Sequence, residues 1–174
     1  MSDGRLLEER GFAGGLVTGA LRMGRLVWVE RSLAALLGDA LHRTDDDGLV
    51  VDLAERIRGH VARAALVEAR LPTLREFPLD TLVGGAGLDG WAVFLAAQTD
   101  ADPAHVLAAR TVVAVPLLAD GYECVVATAS PVGAPSVRRS LGPVVAELRA
   151  ELDRLELDGT PVVPPEPTLE SLDR

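Results

Sequence analysis

Four stretches of this chain place apolar residues three and four positions apart, each far longer than an ordinary strand of about 5–6 residues. The first runs from Leu16 to Leu41 and carries Val17, Ala20, Leu21, Met23, Val27, Leu33, Ala34, Leu37 and Leu41. The second runs from Leu49 to Leu71, with Leu53, Ile57, Val61, Ala64 and Val67. The third opens at Asp102-Pro103 and reaches Thr128; the fourth runs from Ser136 to Leu157, with Val137, Leu141, Val144, Leu148, Leu152 and Leu155. A period near 3.6 puts such residues on one helix face. The valine-rich third stretch also invites a strand, but its length argues for a helix.

The punctuation between the stretches agrees. Thr44-Asp45-Asp46-Asp47-Gly48 reads as a loop whose carboxylates suit a helix N-terminus. Pro72 stops the second helix, and Asp102-Pro103 is an N-cap followed by proline at the first helical position. Pro116 inside the third helix predicts a kink, and Gly142-Pro143 a bend early in the fourth. Gly19 and Gly24 weaken the first helix and would admit a close neighbour. The second connection is by far the longest; it contains Gly84-Gly85-Ala86-Gly87 and a short helix from Leu88 to Gln98 bearing Trp91, Phe94 and Leu95. The expected fold is all-α: a ferritin-like four-helix bundle whose long 2–3 crossover contains a short helix. Its parts are a lead-in at 1–14, the bundle at 15–158 and a Pro-rich tail at 159–174 expected to be disordered.

Charge and composition narrow the function. The formal net charge of −9 argues against nucleic acid or an anionic membrane as partner. All 17 basic residues are arginine, so neither a Schiff-base lysine nor a P-loop is present. A single cysteine excludes a disulfide framework and a cysteine-based zinc site. No apolar run follows the basic start as in a secretory signal, and no window of about 18 residues is free of charge, so the expectation is cytoplasmic.

Val27-Trp28-Val29-Glu30-Arg31-Ser32-Leu33, His60 to Phe77 and Tyr122 to Glu147 together resemble a family of ferritin-like four-helix proteins found mostly in actinobacteria. The likeness spans roughly residues 16–157 and rests on packing and turn motifs. Ferritin-like di-iron proteins hold their metals with a Glu on each of two helices and Glu-x-x-His on each of the other two. The chain departs from that rule. Ile57 stands three residues before His60, Glu68 leads to Leu71, and Glu147 leads to Ala150. His42 and His105 fall near helix ends, leaving His60 for the centre. A metal site would have to use Glu30, His60, Glu123 and Glu147 with iron or manganese.

The alternative for Glu30 is a partner across the bundle, Arg63 or Arg110, because an isolated buried carboxylate is costly. Arg63 would hold Glu30 and Glu147 together in place of a metal's charge, making a core polar network of Glu30, His60, Arg63 and Glu147. Other candidates are weaker. Cys124 reads as a core thiol and Tyr122 as a packing residue. The Gly84–Gly87 run does not fit a dinucleotide fingerprint. The Asp45–Asp47 run lacks the glutamate of a calcium loop, and Ser130 has no histidine near it.

The expected function is a non-catalytic ferritin-like protein without a di-iron centre or other cofactor. It would serve as a binding or scaffold partner, as a homodimer or with another protein. Two alternatives remain open: an oxidase or oxygenase using the atypical carboxylate-rich set, and a metal-free small-molecule binder with a central pocket at Gly59 and Ala150.

Overall fold

The computed structural model of the chain describes residues 14–72, 78–129 and 134–157. All of the 1–14 lead-in but Gly14, the whole 159–174 tail and Ser130 lie outside them. The regular elements among the described residues are all helices, without strands. The helices are α1 (Gly14–Leu41), α2 (Asp47–Glu68), α3 (Leu79–Leu82), α4 (Asp89–Gln98), α5 (Pro103–Ala109), α6 (Val115–Thr128) and α7 (Pro135–Leu157). A π-helical turn, Arg110–Ala114, joins α5 to α6.

Helices α1 and α2 form one hairpin, and α6 and α7 another. The first pairs with the second through α1 on α6 and α2 on α7. The long connection runs back along α1. Its α3 and α4 both pack on α1, and Arg43 Nη1 donates to the Ala101 carbonyl at 2.6 Å just before α5 begins. The chain therefore re-enters at the end where α2 began, and α2 and α5–α6 run parallel.

Local chemistry explains the boundaries. The Asp46 carboxylate accepts from Leu49 N at 2.9 Å and caps α2. The Asp102 carboxylate accepts from Ala104 N at 2.9 Å and His105 N at 3.4 Å ahead of Pro103. Asp102→Ala should cost about 1 kcal/mol, read as a lower urea midpoint with an unchanged m-value. Helix α2 stops at Glu68, earlier than the expected Leu71. The residue before a proline resists the α conformation, and the chain tightens through Arg70 N to Val67 O and Leu71 N to Glu68 O.

Among the described residues the crossover holds two short helices rather than one. Of the two glycines expected to admit a neighbour, only Gly24 does so. A Cβ there would stand 1.9 Å from the Leu82 carbonyl oxygen, whereas Gly19 meets nothing within 4 Å. Gly85 lies on the Trp28 ring, and Gly87, at φ +76°, takes the left-handed conformation that favours glycine. At Pro116 the departure from α geometry falls one turn earlier, in the π turn, where Val115 N bonds Arg110 O. Such insertions are frequent at functional sites.

The apolar core is divided. The larger cluster includes Leu26, Val27, Leu33, Trp91, Leu118, Leu141 and Leu148. A smaller one gathers Leu36, Leu37, Ala40, Leu53 and Val106. Along α2 and α5–α6, the buried polar residues His60, Arg63 and Arg110 fall between the two clusters, and on α1 Glu30 sits in the larger one, between Val29 and Leu33. By length and composition the Pro103–Thr128 segment could cross a membrane, and half of its most apolar window is buried inside the fold.

Candidate functional site

Each long helix contributes to one buried ionic cluster. Glu30 comes from α1, His60 and Arg63 from α2, Arg110 and Tyr122 from the π turn and α6, and Glu147 and Glu151 from α7. His60 and Arg63, three residues apart, share one helix face. Glu30 and His60 are fully buried, and Arg63 and Arg110 nearly so.

Glu30 is the acceptor at the centre. Its Oε1 receives Arg63 Nε at 2.8 Å and the Tyr122 hydroxyl at 3.0 Å. Its Oε2 receives Arg63 Nη2 at 3.3 Å and the imidazole Nδ1 of His60. Arg63 then reaches outward, donating from Nη1 to Glu147 Oε1 at 3.3 Å. Arg110 donates from Nε to His60 Nε2 at 3.0 Å, and its Nη1 pairs with Glu151. Arg56 closes on the same Glu151 at 3.1 Å.

The partners define the protonation states. Arginine cannot act as an acceptor and keeps its charge. His60 Nε2 must therefore offer its lone pair to Arg110, and the ring is neutral with its proton on Nδ1, aimed at Glu30. Arg63 Nη2, 3.0 Å from Nδ1, is then a neighbouring donor drawn to the same carboxylate. The pKa directions agree. Burial pushes the Glu30 carboxyl up, but the His60 hydrogen bond and the Arg63 charge outweigh it and hold it below its ordinary value. Burial lowers His60, and the charges of Arg110 and Arg63 add to that against the pull of Glu30. Burial and the nearby Glu30 charge both raise the Tyr122 phenol, which stays protonated. Three carboxylates (Glu30, Glu147, Glu151) thus meet three guanidinium groups (Arg56, Arg63, Arg110).

These directions predict acid sensitivity. The unfolded chain protonates His60 near 6.5, while the folded chain keeps it neutral to lower pH. The unfolded state then binds more protons, so stability falls as pH drops below 6.5. The lowered Glu30 and Glu151 contribute stability above 4.5 that is lost below it, adding a second decline. Urea midpoints should fall from pH 7.5 to 5, and His60→Gln should flatten the upper part of that fall.

The sequence-derived network of Glu30, His60, Arg63 and Glu147 is in hydrogen-bond contact. Glu123 does not join it. It lies outward with Arg149 Nε at 2.6 Å, and Asp120 takes the same arginine at 2.7 Å. Of the four residues in the alternative metal set, Glu123 thus stands apart from Glu30, His60 and Glu147. Alternating residues along α6 leave the helix in different directions, so Tyr122 faces inward and Glu123 outward. Tyr122 is more than a packing residue, since its hydroxyl bonds Glu30. Arg110, considered as a direct partner of Glu30, acts on it through His60. Glu151 was missed; its signal was its place four residues after Glu147, on the same face. Cys124 is half-buried rather than in the core. Beside Gly59 stands Arg63 Nη1, and Ala150 is exposed, so these small residues do not open a central pocket between them. His42 Nδ1 meets the Gly38 carbonyl at the end of α1, and His105 is exposed.

No group of three or more His, Cys, Asp and Glu among the described residues is arranged to hold a metal. Two guanidinium groups occupy the spaces between the carboxylates and the imidazole. The donor set therefore does not fit a ferritin-like di-metal centre. No family model, curated protein or solved structure matches the chain.

Proposed function

We propose that the chain is a ferritin-like helical protein that works without a metal centre, as a non-catalytic, cytoplasmic binding or scaffold partner and as a homodimer. Its helix order, with one long crossover making α2 and α5–α6 parallel, supports the ferritin-like assignment. The observation that carries the metal-free reading is Arg63, which bonds Glu30 on one side and Glu147 on the other. A guanidinium supplies a fixed positive charge with directed donors. It satisfies the carboxylates that a metal would otherwise need to satisfy.

The test is the metal content and mass of untagged protein from cells grown with added iron and manganese. The expected result is no stoichiometric metal, a cooperative melt, and a mass that doubles with concentration. Metal near one or two atoms per chain, lost on Glu30→Ala, would overturn the metal-free reading. A mass that stays monomeric at all concentrations would overturn the homodimer.

A further inference from the structure

Resting on the homodimer reading, we infer that the outer face of α2 is the dimer interface, with two copies of α2 packed antiparallel about a two-fold axis beside Arg56.

The solvent face of a surface helix ordinarily carries polar side chains. That of α2 is largely apolar. Val51 and Val61 are 57% and 54% exposed, and the exposed Ala54, Ala62 and Ala65 complete the stripe. The other exposed large apolar residues among the described ones, Leu79 and Val93, stand on separate short helices. The α2 positions also repeat: 51, 58 and 65 are seven apart, as are 54 and 61. This is the spacing of a seam between two helices. The face that α2 turns to its own core is a different one, marked by Leu53, His60, Ala64 and Val67. The seam is left facing solvent.

Charge selects a second copy as the partner. Glu55 and Arg58 lie at the middle of the seam with side chains 61% and 78% exposed, and within the helix they approach only to 4.0 Å. An exposed pair of that kind contributes little, so both remain available to a partner. A two-fold axis sets a surface against its own copy, so that residue i meets j and j meets i. Placed beside Arg56, the axis sets Val51 opposite the partner's Val61. It also brings Glu55 to within one residue rise, about 1.5 Å along the helix, of the partner's Arg58. One symmetry operation thus covers both exposed valines and forms two ion pairs between them. A parallel pairing in register would instead set Glu55 against Glu55 and Arg58 against Arg58. The seam from Val51 to Ala65 is about 21 Å long and one helix wide, covering less than the about 800 Å² per partner of a standard interface. The dimer is therefore reversible and sensitive to a single charge.

The experiment follows mass by sedimentation equilibrium over a concentration series for wild type, Glu55→Arg, Arg58→Glu and the double variant. The changed side chains are exposed, so all four proteins should melt alike. Glu55→Arg places four guanidinium groups at the axis and Arg58→Glu four carboxylates. Each should raise the dissociation constant at least tenfold. The double variant restores opposite charges across the axis and should return to within threefold of wild type. In a Cys124→Ser background, Val51→Cys mixed with Val61→Cys should form a disulfide-linked dimer that neither forms alone.

A wild-type dimer indifferent to both charge reversals would overturn this inference and leave the homodimer standing on another face. Loss without recovery in the double variant would overturn the antiparallel pairing, as would a disulfide formed by either cysteine variant alone. A wild type that stays monomeric at all concentrations would overturn the homodimer, and this interface with it. Should a chain ending at Asp158 then dimerise, residues 159–174 are what covers the face.

Discussion

Replacing Arg63 with alanine lowers the stability of this protein by about 3–5 kcal/mol, the usual consequence of removing one partner from a buried ion pair. Glu30 is left fully buried with only the His60 and Tyr122 donors and no adjacent cation. Glu147 also loses its link to the core, which matters less because its side chain is mostly exposed. For a chain of this size the melting temperature should drop by about 10 °C or more. Replacing Glu30 and Arg63 together should cost less than the sum of the single changes, since neither then strands the other. A melting temperature unchanged in Arg63→Ala would show that the buried bonds to Glu30 contribute nothing.

Gly24→Ala is the second large effect, and it acts on the crossover. The added methyl would sit 1.9 Å from the Leu82 carbonyl oxygen and 2.6 Å from its carbon. A side chain in the way could rotate, but backbone cannot, so α1 and α3 must separate. Overpacking of this kind costs about 1–3 kcal/mol. Leu82 and Leu88, both buried, would be partly exposed as the strap lifts. Trp28, which covers Gly85, reports on the same movement. The expected result is a lower urea midpoint, with faster amide exchange at 79–98 than in α6 or α7. Gly19→Ala, with open space around it, is the control and should be neutral or slightly stabilising.

The helices were legible because their signals are local. The Asp46 and Asp102 caps, Pro103 and the three-and-four spacing each act within a few residues. Glu30 was legible as a residue needing a partner, because a lone buried carboxylate is too costly to leave unanswered. Which partner it takes depends on the rotation of three other helices. Tyr122 and Glu123 show this most clearly. As adjacent residues they leave α6 in directions about 100° apart. A π turn just upstream inserts an extra residue and resets which of them faces inward. Apolar spacing alone could not place that reset, since nearly every position from Val112 to Leu118 is apolar. The end of α2 was misjudged for a related reason: Pro72 marks a stop, but the last turn tightens before reaching it.

The ionic cluster set among the apolar side chains also settles how the helices are aligned along their length. Leucine, valine and alanine faces are nearly interchangeable from one turn to the next, so two such helices could slip by about 5.4 Å and still bury their surfaces. Here a slip of one turn would carry Glu30 from Arg63 and His60 into the leucines on either side. A single polar position is known to fix alignment in this way in coiled coils. In a chain with so few aromatics, whose bulk would otherwise make one alignment fit better than another, the charged layer serves as the notch that admits only one setting of the helices.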